Sequence, residues 1–223
     1  MAPRLVVFDL DGTLIDSRID LANSVNAMLV HLGKPELPHA VIATYIGDGA
    51  SMLVRRALGD PEGDVHDEEY VAEALEYFLG YYRVHKLDYT YVYEGVMEAL
   101  DAIRVNYPGV PMAVLTNKPV RPSRDICAHF GLDKYFFQNY GGNSFHTKKP
   151  DPLGVETLLS QAGARPEEAA IIGDSDIDIL TARNSGIFSV GVSYGLAPHT
   201  LEAAPPDVLV DSADEWAKVF LPR

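Results

Sequence analysis

Near its start the chain carries four apolar residues, Leu5-Val6-Val7-Phe8, that pass without a spacer into Asp9-Leu10-Asp11-Gly12-Thr13. A short, unbroken, β-rich run of this kind predicts a strand buried on both faces, as in a parallel sheet, because neither face alternates with polar residues. Similar runs return at 112–116, 170–173, 188–192 and 208–210. Between them apolar residues recur at helical spacing: Val96, Leu100 and Ile103; Ile126 and Phe130; Val155, Leu158 and Leu159; Ile179, Leu180 and Ala182. Strands alternating with helices predict an α/β fold with a doubly wound parallel sheet, since parallel neighbours are joined by crossovers.

Residues 16–87 break that rhythm. The stretch reads as all-helical: an amphipathic segment at 21–32 ended by Gly33 and Pro35, a second at 41–46, a third at 51–58 closed by Gly59, and after an acidic loop a fourth at 68–82. A helical insertion between the first strand and the rest predicts a lid. The expected division is an α/β core of residues 1–15 and 88–223 and an all-helical cap of residues 16–87, with the return crossing near 86–94.

Composition narrows the class. At 223 residues, 47% hydrophobic and 22% charged, the chain has room for one core and a small accessory domain. No stretch approaches the roughly eighteen uncharged apolar residues of a membrane span. The apolar run after Arg4 is cut short by Asp9 and Asp11, which a signal peptide would not tolerate. A single cysteine, Cys127, excludes an internal disulfide and fits a reducing compartment, so the expected location is cytoplasmic. The formal net charge of −14 excludes a nucleic-acid partner, which calls for a basic face. It also repels any anionic ligand, so a site for one needs a cation and a few lysines or arginines to reverse the field locally.

Four polar signatures fall at predicted strand ends, where open α/β sheets hold their ligands. Asp9 and Asp11, two residues apart before the turn at Gly12, can converge on one centre. Leu115-Thr116-Asn117-Lys118 offers a hydroxyl and an amide; Lys148-Lys149-Pro150-Asp151-Pro152 opens a helix; Gly173-Asp174-Ser175-Asp176-Ile177-Asp178 places carboxylates after another strand.

Together and in this order, these residues resemble the haloacid dehalogenase-like hydrolase superfamily, over the whole chain. The resemblance implies a Rossmann-like core and makes residues 16–87 similar to the helical cap that many members insert after the first motif. Within the superfamily, Ile46-Gly47-Asp48-Gly49-Ala50, Tyr93-Glu94-Gly95-Val96 and Leu115-Thr116-Asn117-Lys118-Pro119 are similar to the bacterial phosphoglycolate phosphatases. The implied activity is a Mg²⁺-dependent phosphatase for a small-molecule phosphate monoester, acting as monomer or homodimer. Carried over, the resemblance makes Asp9 the nucleophile and Asp11 the general acid and then base. Thr116 and Asn117 bind phosphoryl oxygens, and Lys149 pairs with Asp9 and the phosphate. Asp9, the backbone carbonyl of Asp11 and Asp174 hold Mg²⁺, with Asp178 binding it directly or through water. The free amides at Gly49-Ala50 are expected to help bind a substrate carboxylate, and Arg55 and Arg56 either assist or stand as solvated surface arginines.

Other readings leave marks on the sequence. Paired aspartates before a glycine also make turns and caps, and Asp176 and Asp178 suit the first turn of a helix. Gly191-Val192-Ser193-Tyr194-Gly195 matches a serine-hydrolase elbow, but Pro198 blocks the helix that should follow and no histidine lies beyond His199. Asp11 distinguishes the chain from dehalogenases, which expel a halide without needing an acid. Another small phosphorylated metabolite or pyrophosphate remains open as substrate, with a sugar-phosphate mutase or a non-catalytic phosphoester-binding regulator as more distant alternatives.

Overall fold

The computed structural model describes residues 2–220. Its first strand, β1 (Leu5–Phe8), is fully buried, as the unbroken apolar run requires. A two-residue strand, β2 (Ile15–Asp16), follows the acidic turn. Four helices come next: α1 (Arg18–His31), α2 (His39–Ala43), α3 (Ala50–Leu58) and α4 (Glu68–His85), and then β3 (Tyr91–Val92). The remainder alternates as α5 (Val96–Asn106), β4 (Met112–Leu115), α6 (Val120–His129), β5 (Gln138–Tyr140), α7 (Leu153–Ala162), β6 (Ala169–Gly173), α8 (Asp176–Ser185), β7 (Phe188–Val192), β8 (Val208–Val210) and a single-turn α9 (Trp216–Val219). Residues up to Asp16 and from Val92 onward form one compact unit, and Ser17–Tyr91 form a second.

In the first unit six parallel strands are ordered β5-β4-β1-β6-β7-β8, with Val7 of β1 beside Ala113 on one side and Ile171 on the other. The strand that comes first in sequence thus lies inside the sheet. The chain builds outward from it through β4 and β5, then crosses back to build β6, β7 and β8. This reversal opens a crevice at the carboxyl end of β1, the place where such sheets bind ligands. Alternate side chains of β1 serve opposite faces. Leu5 and Val7 join Ala113, Leu115 and Ile171 against Val155, Leu158 and Leu159 of α7. Phe8 is the largest side chain of β1, and its ring lies 5.7 Å from that of Phe136 and 5.4 Å from that of Trp216. Burial of side chains this size contributes about 1.5–3 kcal/mol each, which fixes the strand end from which the acidic turn departs.

The second unit has its own core, in which Leu21, Val25, Met28 and Leu29 of α1 pack with Leu53 and Val54 of α3 and Val71, Ala74 and Phe78 of α4. Asp67 caps α4 by accepting the Tyr70 N–H at 2.8 Å. Asp20, buried in the first turn of α1, accepts the backbone N–H groups of Tyr89 and Thr90 and the Thr90 hydroxyl, the last at 2.7 Å. One carboxylate therefore fastens the beginning of this unit to its end.

Several element boundaries differ from expectation. The third helix begins at Ala50 with Gly49 as its cap, and α4 continues to His85. Strand β5 and the short α9 were not anticipated, and Gln138–Tyr140 carries no apolar run to announce it.

Candidate active site

At the end of β1 the Asp9 N–H donates to the Ile172 carbonyl at 2.9 Å, carrying the parallel ladder one residue past the strand. The chain then curls, with the N–H groups of Leu14 and Ile15 both donating to the Leu10 carbonyl. Gly12 adopts a left-handed φ of 89°, and a Cβ there would fall 2.2 Å from an oxygen of Asp174. Only glycine fits both the backbone and the space.

Asp9 is buried, and Lys149 Nζ lies 2.8 Å from its Oδ1 and 2.6 Å from Oδ1 of Asp178. Burial pushes Asp9 up to about 6 against the pull of Lys149, with Asp178 and Asp11 adding to the rise. Burial alone would lower Lys149, but Asp178 and Asp9 outweigh it and hold the ammonium above the ordinary lysine range. The other oxygen of Asp178 accepts the Ser175 hydroxyl at 2.8 Å and the Ser175 N–H at 3.2 Å, a capping box that starts α8. Asp178 is thus at once a first-turn helix residue that completes the cap and a partner of the site lysine.

Asp174 is held from behind. Its Oδ2 accepts the N–H groups of Leu196 at 2.7 Å and Ala197 at 2.9 Å. Gly195 packs so closely that a Cβ would fall 2.2 Å from the Asp174 Cβ. Burial, then Asp178 and Asp9, push Asp174 up to about 8 despite those two N–H bonds. Asp9, Asp174 and Asp178 each offer a carboxylate oxygen within 4.8 Å of the others. Mutually repelling hard oxygens gathered this closely in a buried place fit a divalent cation. The buried Thr13 hydroxyl, which has no hydrogen-bond partner among the described residues, adds a further polar atom to the same turn.

The other side of the turn is served by the segment after β4. Thr116 Oγ1 accepts the Lys118 N–H at 3.2 Å, so its own proton is left to donate. Asn117 Nδ2 donates to the Lys149 carbonyl at 3.1 Å and so ties the two lysine-bearing segments together. Lys118 Nζ lies 2.9 Å from both carboxylate oxygens of Asp11, with only 3% of its side chain exposed. Sequence reasoning gave Lys118 no task. It also passed over Gly141 and Gly142, where a Cβ would meet the Val120 nitrogen at 2.3 Å and the Asn117 carbonyl oxygen at 2.4 Å. The adjacent glycines were the available signal for that close approach.

The first unit therefore brings Asp9, Asp11, Thr116, Asn117, Lys149, Asp174 and Asp178 onto the carboxyl edge of its sheet. Gly49, Arg55 and Arg56 belong to the helical unit, where both arginines have internal partners. Arg55 pairs with Asp60 at 3.1 Å and Glu68 at 2.6 Å, while Arg56 pairs with Asp48 at 2.5 Å and donates to the Tyr45 carbonyl. The alternative that they stand solvated is corrected accordingly: Asp48 and Asp60 in loops and Glu68 at the start of α4 take up both guanidinium groups. Ser193 donates to Asp211 at 2.5 Å, and a 3₁₀ turn at Pro198–Glu202 stands where a serine-hydrolase elbow needs a helix.

A family model described as haloacid dehalogenase-like hydrolase matches residues 6–192. Phosphoglycolate phosphatase 1 of Pseudomonas aeruginosa is 39% identical, with the match covering 99% of this chain and 83% of that protein. A phosphoglycolate phosphatase of Chromobacterium violaceum is 37% identical, over 95% of this chain and 94% of that one. Among solved structures, one described as a predicted phosphoglycolate phosphatase from Haemophilus somnus superposes with a TM-score of 0.91 at 31% identity, covering 99% of each chain.

Proposed function

The chain belongs to the haloacid dehalogenase-like hydrolase family and is a phosphatase acting on phosphoric monoesters, and from that premise we propose that it is a Mg²⁺-dependent phosphoglycolate phosphatase working through an aspartyl-phosphate on Asp9. The observation that carries this reading is that two aspartates, two residues apart after strand β1, are held by different lysines: Asp9 by Lys149 and Asp11 by Lys118. Different partners suit different tasks. The names of the relatives support phosphoglycolate as the substrate.

In the first step a carboxylate oxygen of Asp9 attacks phosphorus, the bond from phosphorus to the ester oxygen breaks, and Asp11 gives its proton to the departing alkoxide. In the second step Asp11 takes a proton from water, the water oxygen attacks phosphorus, and cleavage of the acyl-phosphate bond returns Asp9 as a carboxylate with inorganic phosphate. Thr116 and Asn117 orient the phosphoryl oxygens, and Lys149 offsets the charge that spreads over them. Mg²⁺ would be held by Asp9, Asp174 and the Asp11 carbonyl, with Asp178 direct or through water, and would supply electrostatic stabilisation of those oxygens. Four carboxylates facing two lysines leave the site in need of such a cation.

No helix among the described residues is long and apolar enough to cross a membrane, and the lone Cys127 is buried and unpaired. Both support work in the cytoplasm. The test is turnover of phosphoglycolate and p-nitrophenyl phosphate with Mg²⁺ by the wild type and by Asp9→Asn. The variant should lose at least a thousandfold, about 4 kcal/mol of barrier. Hydroxylamine should trap an acyl-phosphate at Asp9 in the wild type alone; a labelled residue other than Asp9, or a variant within a hundredfold of wild type, would refute the mechanism.

A further inference from the structure

We infer that Lys118 reads a carboxylate on the leaving group, so that the natural substrates are phosphomonoesters of short hydroxy acids. The inference rests on the mechanism proposed above, in which the ester oxygen departs toward Asp11. Any substituent one carbon from that oxygen then lies beside the Asp11 side chain. Lys118 Nζ is already there, 2.9 Å from both Asp11 oxygens.

The two lysines divide the site. Lys149 touches Asp9 and Asp178, on the side of the phosphoryl group and its cation, whereas Lys118 pairs with the residue that handles the leaving oxygen. An ammonium has three donors and can hold two carboxylates at once, as Lys149 does with Asp9 and Asp178. Lys118 is fixed in place before any ligand arrives. Its N–H bonds Thr116 Oγ1, its carbonyl accepts the Gly142 N–H at 2.8 Å, and its residue is 5% exposed. A neutral alcohol leaving group offers the remaining donor of this ammonium no charge to pair with, whereas a carboxylate does. Arg55 and Arg56, by contrast, are committed to Asp60, Glu68 and Asp48 within the helical unit.

The experiment compares phosphoglycolate with 2-hydroxyethyl phosphate, which has the same length and no carboxylate. The readout is the ratio of their kcat/KM values in the wild type, Lys118→Met and Lys118→Gln. Both variants should lower that ratio roughly ten- to a hundredfold, chiefly through the KM for phosphoglycolate. Calorimetric binding of both esters to Asp9→Asn, with and without Lys118→Met, gives the same comparison without turnover and registers a misfolded variant as loss of both ligands. Equal losses on the two esters would mean that Lys118 only positions Asp11, and no loss on either would mean that it does neither; each overturns the inference. A wild type that hydrolyses both esters equally overturns it while leaving the phosphatase mechanism standing. A wild type inert toward both overturns the mechanism and this inference with it.

Discussion

Replacing Lys149 with methionine keeps an aliphatic stem of similar length and removes the ammonium from between Asp9 and Asp178. At 2.8 and 2.6 Å, each attraction is about 6 kcal/mol at an effective dielectric near 20, before the cost of drying the charges. Removing one partner of a buried pair costs about 3–5 kcal/mol net, because the surviving carboxylates stay desolvated. Protonation relieves part of that cost. Asp9 stands at about 6 even beside Lys149 and rises further without it. Its folded value exceeds the unfolded one, so the folded form gains protons relative to the unfolded one at low pH, and stability falls as pH rises through the folded value. The variant's deficit should therefore be largest near pH 8 and smaller, by roughly 1–2 kcal/mol, near pH 5. Urea unfolding of metal-free protein, followed by the emission of the buried Trp216, measures both. A deficit under about 1 kcal/mol near pH 8, or equal deficits at the two pH values, would refute the placement of this ion pair at the centre of the site.

The same raised values govern the cation. Metal-free protein should lose stability as pH rises from about 5 through the Asp9 and Asp174 values of about 6 and about 8, and Mg²⁺ should abolish the loss, so its effect on Tm is larger near pH 8 than near pH 6; a Tm shift independent of pH would contradict it. Exhaustive chelation should end turnover and Ca²⁺ should not restore it, because its looser coordination suits the in-line attack poorly; activity surviving the chelator removes the metal from the mechanism. Gly195→Ala thrusts a methyl group against Asp174 and should lower Mg²⁺ affinity about 10–100-fold, measured by titrating activity or Tm. Unchanged affinity would show that the Leu196 and Ala197 amides do not orient Asp174.

The parallel sheet was legible because fully buried strands such as Leu5–Phe8 and Met112–Leu115 are apolar without interruption, and because polar residues cluster where those strands end. Strand β5 was not, since Gln138-Asn139-Tyr140 lies half-buried at the sheet edge and needs no apolar run. Asp9, Asp174 and Lys149 were found through their position after strands and helix starts. Lys118 was missed although it stands in a motif that was quoted, because nothing in a lysine's neighbours tells whether its ammonium is solvated or paired across 107 residues with Asp11. The amides of Leu196 and Ala197 leave no trace in side-chain chemistry at all. That Arg55 and Arg56 are paired rather than solvated could not be told from their place off the apolar stripe of α3; the acidic residues Asp48, Asp60 and Glu68 were there to be weighed as partners.

Asp20 and Thr90 stand 70 positions apart in sequence and share a hydrogen bond. The helical unit thus helps close its own loop, and part of the entropy of bringing its ends together is met by groups inside it, beside the pairing of β2 with β3. For the remainder of the chain the excursion behaves as a brief connection, however many residues it contains. That makes Ser17–Tyr91 a cassette: its helices are free to lengthen, shorten or be exchanged for another set, provided that whatever replaces them brings its two ends back to the same clasp.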